Sequence, residues 1–272
     1  MDKDTIKRLI IEYQQFVANI TLIEREIHLS HQLNYVFVGL RRAGKSYLMY
    51  QQIQSLLNDG HQPEEILYFN FEDDRLVNLT VEDLDLIKVS YEELYPHKPI
   101  FFLDEIQIVE HWEKFARRLA DQQYRVYITG SNAKMLSAEI ATTLGGRYIV
   151  QNVYPFSFSE FLKASKIEIG PTWYYKNRTE IVRTFSDYFS YGGLPELMLI
   201  ETIEKRQWLS NLFNKIFFGD LITRYSIRND LAMKVLIRKL AESVKQPSSF
   251  NRLTNIVSTT GAKVSTDTII DY

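Results

Sequence analysis

Eight residues constrain this chain more than any others: Gly39-Leu40-Arg41-Arg42-Ala43-Gly44-Lys45-Ser46. They fill every fixed position of the pattern G-x-x-x-x-G-K-[ST]. Such a loop must turn tightly and aim backbone N–H groups at phosphate oxygens, hence glycine at its fixed positions. Lys45 would reach the outer phosphates, and the helix that follows adds its N-terminal partial positive charge. The context fits. Tyr35-Val36-Phe37-Val38 has the length and composition of a buried strand. Ser46 to Leu57 reads as a helix that stops near Asn58-Asp59-Gly60.

The same rhythm recurs. Further strands are expected at Ile66–Phe71, Ile100–Leu103, Arg125–Thr129 and Tyr148–Val153, separated by helical periodicities such as Trp112–Ala120 and Lys134–Ala141. Alternating strands and helices indicate an α/β layer with a parallel sheet. An additional helix is expected from Thr5 to about Ile27. Beyond Pro155 the strand pattern ends, and dense aromatics sit among helical spacings.

Ile100-Phe101-Phe102-Leu103 runs into Asp104-Glu105, which places two carboxylates at the carboxyl edge of the sheet. Together with the phosphate loop, this pattern leads us to expect ATP hydrolysis with Mg²⁺. Ser46 and Asp104 are the expected metal ligands, and Glu105 would orient the attacking water. The expected nucleotide contacts are Gly39, Arg41, Arg42, Ala43, Gly44, Lys45, Ser46 and Tyr47. Ser131 and Asn132, after the fourth strand, suit either a γ-phosphate contact or a helix N-cap. Arg147 suits either a phosphoryl-transfer site, in cis or from a neighbouring subunit, or a structural ion pair. Glu72-Asp73-Asp74 reads as a capped or solvated turn.

Composition excludes more than it proposes. The 272 residues contain no cysteine, so disulfides and thiolate metal sites are ruled out. No run of about 20 apolar residues suggests a membrane span, and a cytoplasmic location is expected. The net charge is −2, yet residues 201–272 hold eleven Lys and Arg against seven Asp and Glu. This modest basic bias fits an ordinary solvated surface or a nucleic-acid surface equally well.

Taken in order, several segments resemble the AAA+ ATPases, and within them a prokaryotic group described mostly as ATP-binding proteins. They are Gly39–Ser46, Tyr68-Phe69-Asn70-Phe71-Glu72-Asp73, Leu103-Asp104-Glu105-Ile106-Gln107 with Trp112, Thr129-Gly130-Ser131-Asn132, Gly146-Arg147, Pro155–Glu160 and Tyr191-Gly192-Gly193-Leu194-Pro195. The resemblance spans residues 30–230. It implies a P-loop NTPase with a parallel sheet of order 5-1-4-3-2, a helical lid domain and a partial winged helix. It also casts Asn132 as the γ-phosphate sensor, Arg147 as an arginine finger and Gly193 with Pro195 as the adenine contact.

The expected domains are an N-terminal helix over 1–30, the nucleotide-binding domain over 31–154, the lid over 155–245, and the start of a winged helix-turn-helix over 246–272. Within the last, Phe250–Thr259 reads as a helix and Ser265 as the N-cap of another. Members of the group usually run on well past this length, so this chain is expected to be a fragment. Self-association and a DNA or protein partner for the C-terminal region are further expectations. The second helix there carries no Arg, Lys, Asn or Gln for base contacts. A nucleotide-gated binding module with little hydrolysis is the alternative to an ATP-driven switch or motor.

Overall fold

The computed structural model describes residues 2–76, 79–131, 142–167, 170–223, 225–244, 248–259, 261 and 264–271. The expected helix at Lys134–Ala141 and the expected sensor Asn132 lie outside these residues.

Five strands form one sheet: β1 (Asn34–Gly39), β2 (Ile66–Asn70), β3 (Ile100–Asp104), β4 (Val126–Ser131) and β5 (Tyr148–Asn152). Every neighbouring pair is parallel. The order is β2-β3-β4-β1-β5, the expected 5-1-4-3-2 order read from the other edge. Residues Tyr35–Val38 and all of β3 are buried. These strands therefore read as continuous apolar runs and not as alternating ones. β5 is an edge strand and leaves Ile149 and Val150 exposed.

Helices α1 (Lys3–Asn19), α2 (Lys45–Asn58) and α4 (Trp112–Asp121) pack with this sheet, and α3 (Val81–Leu94) packs against α1 and α4. Asp2 caps α1 by accepting the Thr5 N–H at 2.8 Å. Ile6, Leu9, Ile10, Tyr13 and Val17 form its buried face. Expected to reach Ile27, the helix stops at Asn19. Tertiary contacts decide this. Gln54 Nε2 donates to the carbonyls of Val17 and Ile20, and Gln51 bonds both the N–H and the carbonyl of Arg25. Two glutamines of α2 thus satisfy backbone groups that a longer helix would have paired internally.

After β5 the chain passes between two glycines. Val153 N–H donates to Val38 O at 2.7 Å, and a Cβ on Gly39 would lie 2.2 Å from Val153 O. Phe156 N–H donates to Gly193 O at 2.7 Å, and a Cβ on Gly193 would lie 2.3 Å from Phe156 O. Both positions exclude any side chain. Helices α5 (Phe158–Ala164), α6 (Trp173–Lys176) and α7 (Arg178–Tyr191) follow, then a 3₁₀ turn at Pro195–Leu199.

The chain divides into two compact units, Met1–Glu201 and Thr202–Tyr272. This division does not coincide with the expected boundaries at 154/155 and 245/246. The second unit holds α8 (Thr202–Lys215), which runs on into a π-helical segment at Ile216–Thr223, then α9 (Asp230–Glu242), α10 (Phe250–Thr259) and α11 (Thr266–Asp271). Ala232, Leu236, Leu253, Val257 and Ile269 form its core. Ser265 Oγ accepts the Thr268 N–H at 3.1 Å, the cap expected for α11. Among the described residues, no helix is long and apolar enough to cross a membrane.

Candidate active site

The parallel register brings the chemistry to one edge of the sheet. Gly39 at the end of β1 pairs with Ser131 of β4, and Asn70 of β2 pairs with Asp104 of β3. The phosphate loop leaves β1 at this edge and enters α2, with Gly44 as the N-cap at φ 94°. Ala43 is fully buried. Tyr47, on the first turn of α2, is exposed, with its ring 5.5 Å from that of Tyr50.

Asp104 lies in the interior, 2% exposed. Burial pushes its carboxyl above the usual range, against bonds from Thr129, Tyr68 and Ser46 that favour the charged form. Tyr68 Oη donates to Asp104 Oδ2 at 2.7 Å, and the Thr129 hydroxyl donates to Oδ1. Thr129 Oγ1 in turn accepts the Glu105 N–H at 2.8 Å. One hydroxyl therefore ties both acids to β4. Glu105 itself holds φ 56°, the left-handed region that non-glycine residues rarely adopt.

Lys45 is almost fully buried, and its Nζ lies 3.6 Å from Glu105 Oε1 and 3.4 Å from the carbonyls of Gly39 and Leu40. Gln107 Nε2 donates to Glu105 Oε2 at 2.6 Å. The loop cation, the Asp104–Ser46 pair and the Glu105 carboxylate thus form one connected group. Arg41 pairs with Glu72 at 3.7 Å, and Arg42 pairs with Glu196. Pro195 adjoins the loop, since its Cγ would lie 3.8 Å from a Cβ on Gly44. Gly193 helps line a cavity of about 780 Å³ with Arg25, Phe156, Tyr188 and the exit from β5.

Arg147 sits elsewhere. It precedes Tyr148, the register partner of Asn34 at the opposite, amino edge of the sheet, and its guanidinium pairs with Asp121. A five-residue strand spans roughly 16 Å, so Arg147 is far from the phosphate loop of its own chain. In this structure the Arg147 guanidinium is thus paired at the edge away from the phosphate loop. The Glu72-Asp73-Asp74 segment is a turn: Asp73 accepts Tyr13 Oη at 2.6 Å and bonds to Arg75, which holds its carboxyl far below the usual range.

Three residues at the site carried no sequence signal that assigned them a role. Arg25 falls in the stretch read as helix, yet it is buried against the loop. Its Nη1 donates to Ala43 O at 3.0 Å, its Nη2 to Tyr154 O at 2.7 Å and its Nε to Glu160 Oε1 at 2.9 Å. Glu160 also accepts the N–H groups of Glu26 and Ser157. Gln107 belongs to the Leu103–Gln107 segment, whose pattern assigns it no role.

Residues 31–162 match the family described as "AAA domain". Over this segment the chain is similar to the AAA-family P-loop NTPase domains. Over 274 residues the chain is 32% identical to an uncharacterised protein of Methanocaldococcus jannaschii, covering 99% of this chain and 60% of the relative. It is also 32% identical to an uncharacterised protein of Haemophilus influenzae, covering 92% and 63% respectively. The chain therefore spans less than two thirds of the length of either relative. Among solved structures, a DNA polymerase III gamma subunit-related protein from Thermotoga maritima aligns with a TM-score of 0.37 at 11% identity, covering 97% of this chain and 96% of that one.

Proposed function

We propose that this domain binds ATP and hydrolyses it to ADP and phosphate, acting as a switch or motor on a macromolecule. The observation that carries the reading is the Glu105 carboxylate, 3.6 Å from the loop lysine and adjacent to the Asp104–Ser46 pair. Lys45 would bind the outer phosphates, and Glu105 would orient a water molecule in line with the γ-phosphorus and take up its proton. Ser46 and Asp104 supply a hydroxyl and a carboxylate, an all-oxygen donor set suited to Mg²⁺. When bound there, Mg²⁺ would neutralise charge on the phosphate oxygens.

Gly193 and Pro195 would meet the adenine, supported by the position of Pro195 beside Gly44. Helices α5–α7 would act as the lid, and α10–α11 as the start of a helix-turn-helix. Asn132 would act as sensor, and Arg147 would serve a neighbouring subunit's site. The test is phosphate release under saturating Mg²⁺ATP. Glu105→Gln should lower it by about 100-fold or more, as loss of a general base does. Equal rates for variant and wild type would sink the reading.

The alternative is a nucleotide-gated module that holds DNA or protein with little hydrolysis, favoured by the basic bias of residues 201–272. Titration with labelled duplex at several salt concentrations separates the two, because phosphate contacts weaken steeply with salt.

A further inference from the structure

We infer that Gln107 is a positioning residue for Glu105, holding one carboxylate oxygen so that the other faces the reacting water. The inference rests on the hydrolytic reading of Glu105. In the structure both oxygens are engaged: Oε1 lies 3.6 Å from Lys45 Nζ, and Oε2 accepts Gln107 Nε2 at 2.6 Å. The two contacts differ in kind. Lys45 is also the group that engages phosphate, so its attraction for Oε1 is shared once a nucleotide enters. Among the described residues Gln107 Nε2 has no such competing partner, so its bond to Oε2 is the one that would remain.

Two observations set this amide apart from an ordinary packed glutamine. Its orientation is determined, since a flip would turn Oε1 toward the Glu105 carboxylate and set acceptor against acceptor. And Gln107 Oε1 is buried with no hydrogen-bond partner among the described residues. An unsatisfied buried acceptor is destabilising. A side chain kept only for packing would avoid that cost with Leu or Met. The backbone adds the remaining constraint. Thr129 holds the Glu105 N–H while Glu105 occupies φ 56°. With its backbone held by Thr129 and one oxygen held by Gln107, the carboxylate keeps a single free face.

The test is a double-mutant cycle in steady-state hydrolysis with Gln107→Met, which keeps the volume and removes the donor. In the wild-type background, kcat should fall about 10-fold, the worth of a bond to a charged group, while KM holds and the melting temperature does not fall. In the Glu105→Gln background the same change should have no effect, because residues acting as a unit are non-additive. An unchanged kcat for Gln107→Met overturns the inference, and so does an equal fall in both backgrounds. If Glu105→Gln alone matches wild type, the hydrolytic reading itself fails and takes this inference with it. That outcome is distinct from a failure of Gln107 alone.

Discussion

The guanidinium of Arg25 and the carboxylate of Glu160 meet at 2.9 Å, both about 5% exposed, between the phosphate loop and the first turn of α5. A buried ion pair contributes little relative to a well-packed apolar pair, but removing one partner strands the other charge. Arg25→Ala should therefore destabilise the chain by about 3–5 kcal/mol. Urea unfolding measures it, and an unshifted midpoint would show that the pair is not structurally required.

The same pair sets a pH dependence. Burial opposes the charge on Glu160, but hydrogen bonds from Arg25, Ser157 and Glu26 outweigh it, so its carboxyl sits below the ordinary value of 4.5. A depressed native value stabilises the fold above the unfolded value and loses that stabilisation as pH falls through the native one. The stability gap between wild type and Glu160→Gln should be constant above about pH 5 and shrink below 4.5. A gap that widens on acidification would contradict this.

Gly193→Ala forces a Cβ to 2.3 Å from Phe156 O, whereas Gly170→Ala meets nothing within 4 Å. The first should cost about 1–3 kcal/mol, as overpacking does, and the second close to nothing. Thermal melts of the two variants side by side decide the matter; equal melts would mean that the backbone there yields freely.

Lys45→Met removes the loop's cation. Affinity for a fluorescent ATP analogue should drop by about 10- to 100-fold, the worth of charge-assisted bonds. Retained affinity would mean that the loop binds through its backbone alone.

The proposed role of Arg147 requires a neighbouring subunit. Specific activity should rise with protein concentration in wild type and stay flat in Arg147→Ala. If wild type too is flat over a hundredfold dilution, the trans role is excluded.

Local patterns carried much of the fold. The strands are short apolar runs whose burial on both faces leaves an unambiguous composition, and the phosphate loop has fixed residue types because its geometry admits few. Asp104 and Glu105 were legible because a strand end fixes where they point. Arg25 was not. Its role depends on α1 ending at Asn19, which glutamines on a different helix determine. Gln107 was visible as a letter in a motif, but its bond depends on the left-handed turn at Glu105, which nothing local announces. Arg147 was visible as a residue type, and only the register of β5 shows which edge it occupies.

The segment from Val153 to Phe156 is a strap fastened at both ends by backbone hydrogen bonds of 2.7 Å, each beside a glycine that leaves no gap. Contacts made by side chains have slack, since rotamers absorb displacement. Contacts between main chains have less, bounded by the roughly 2.7–3.2 Å range of a backbone hydrogen bond. The place where the loop leaves β1 is therefore joined to the turn that carries Pro195 through main-chain hydrogen bonds at both ends of one four-residue segment. The strap is a short main-chain link between the phosphate loop and the helices beyond it.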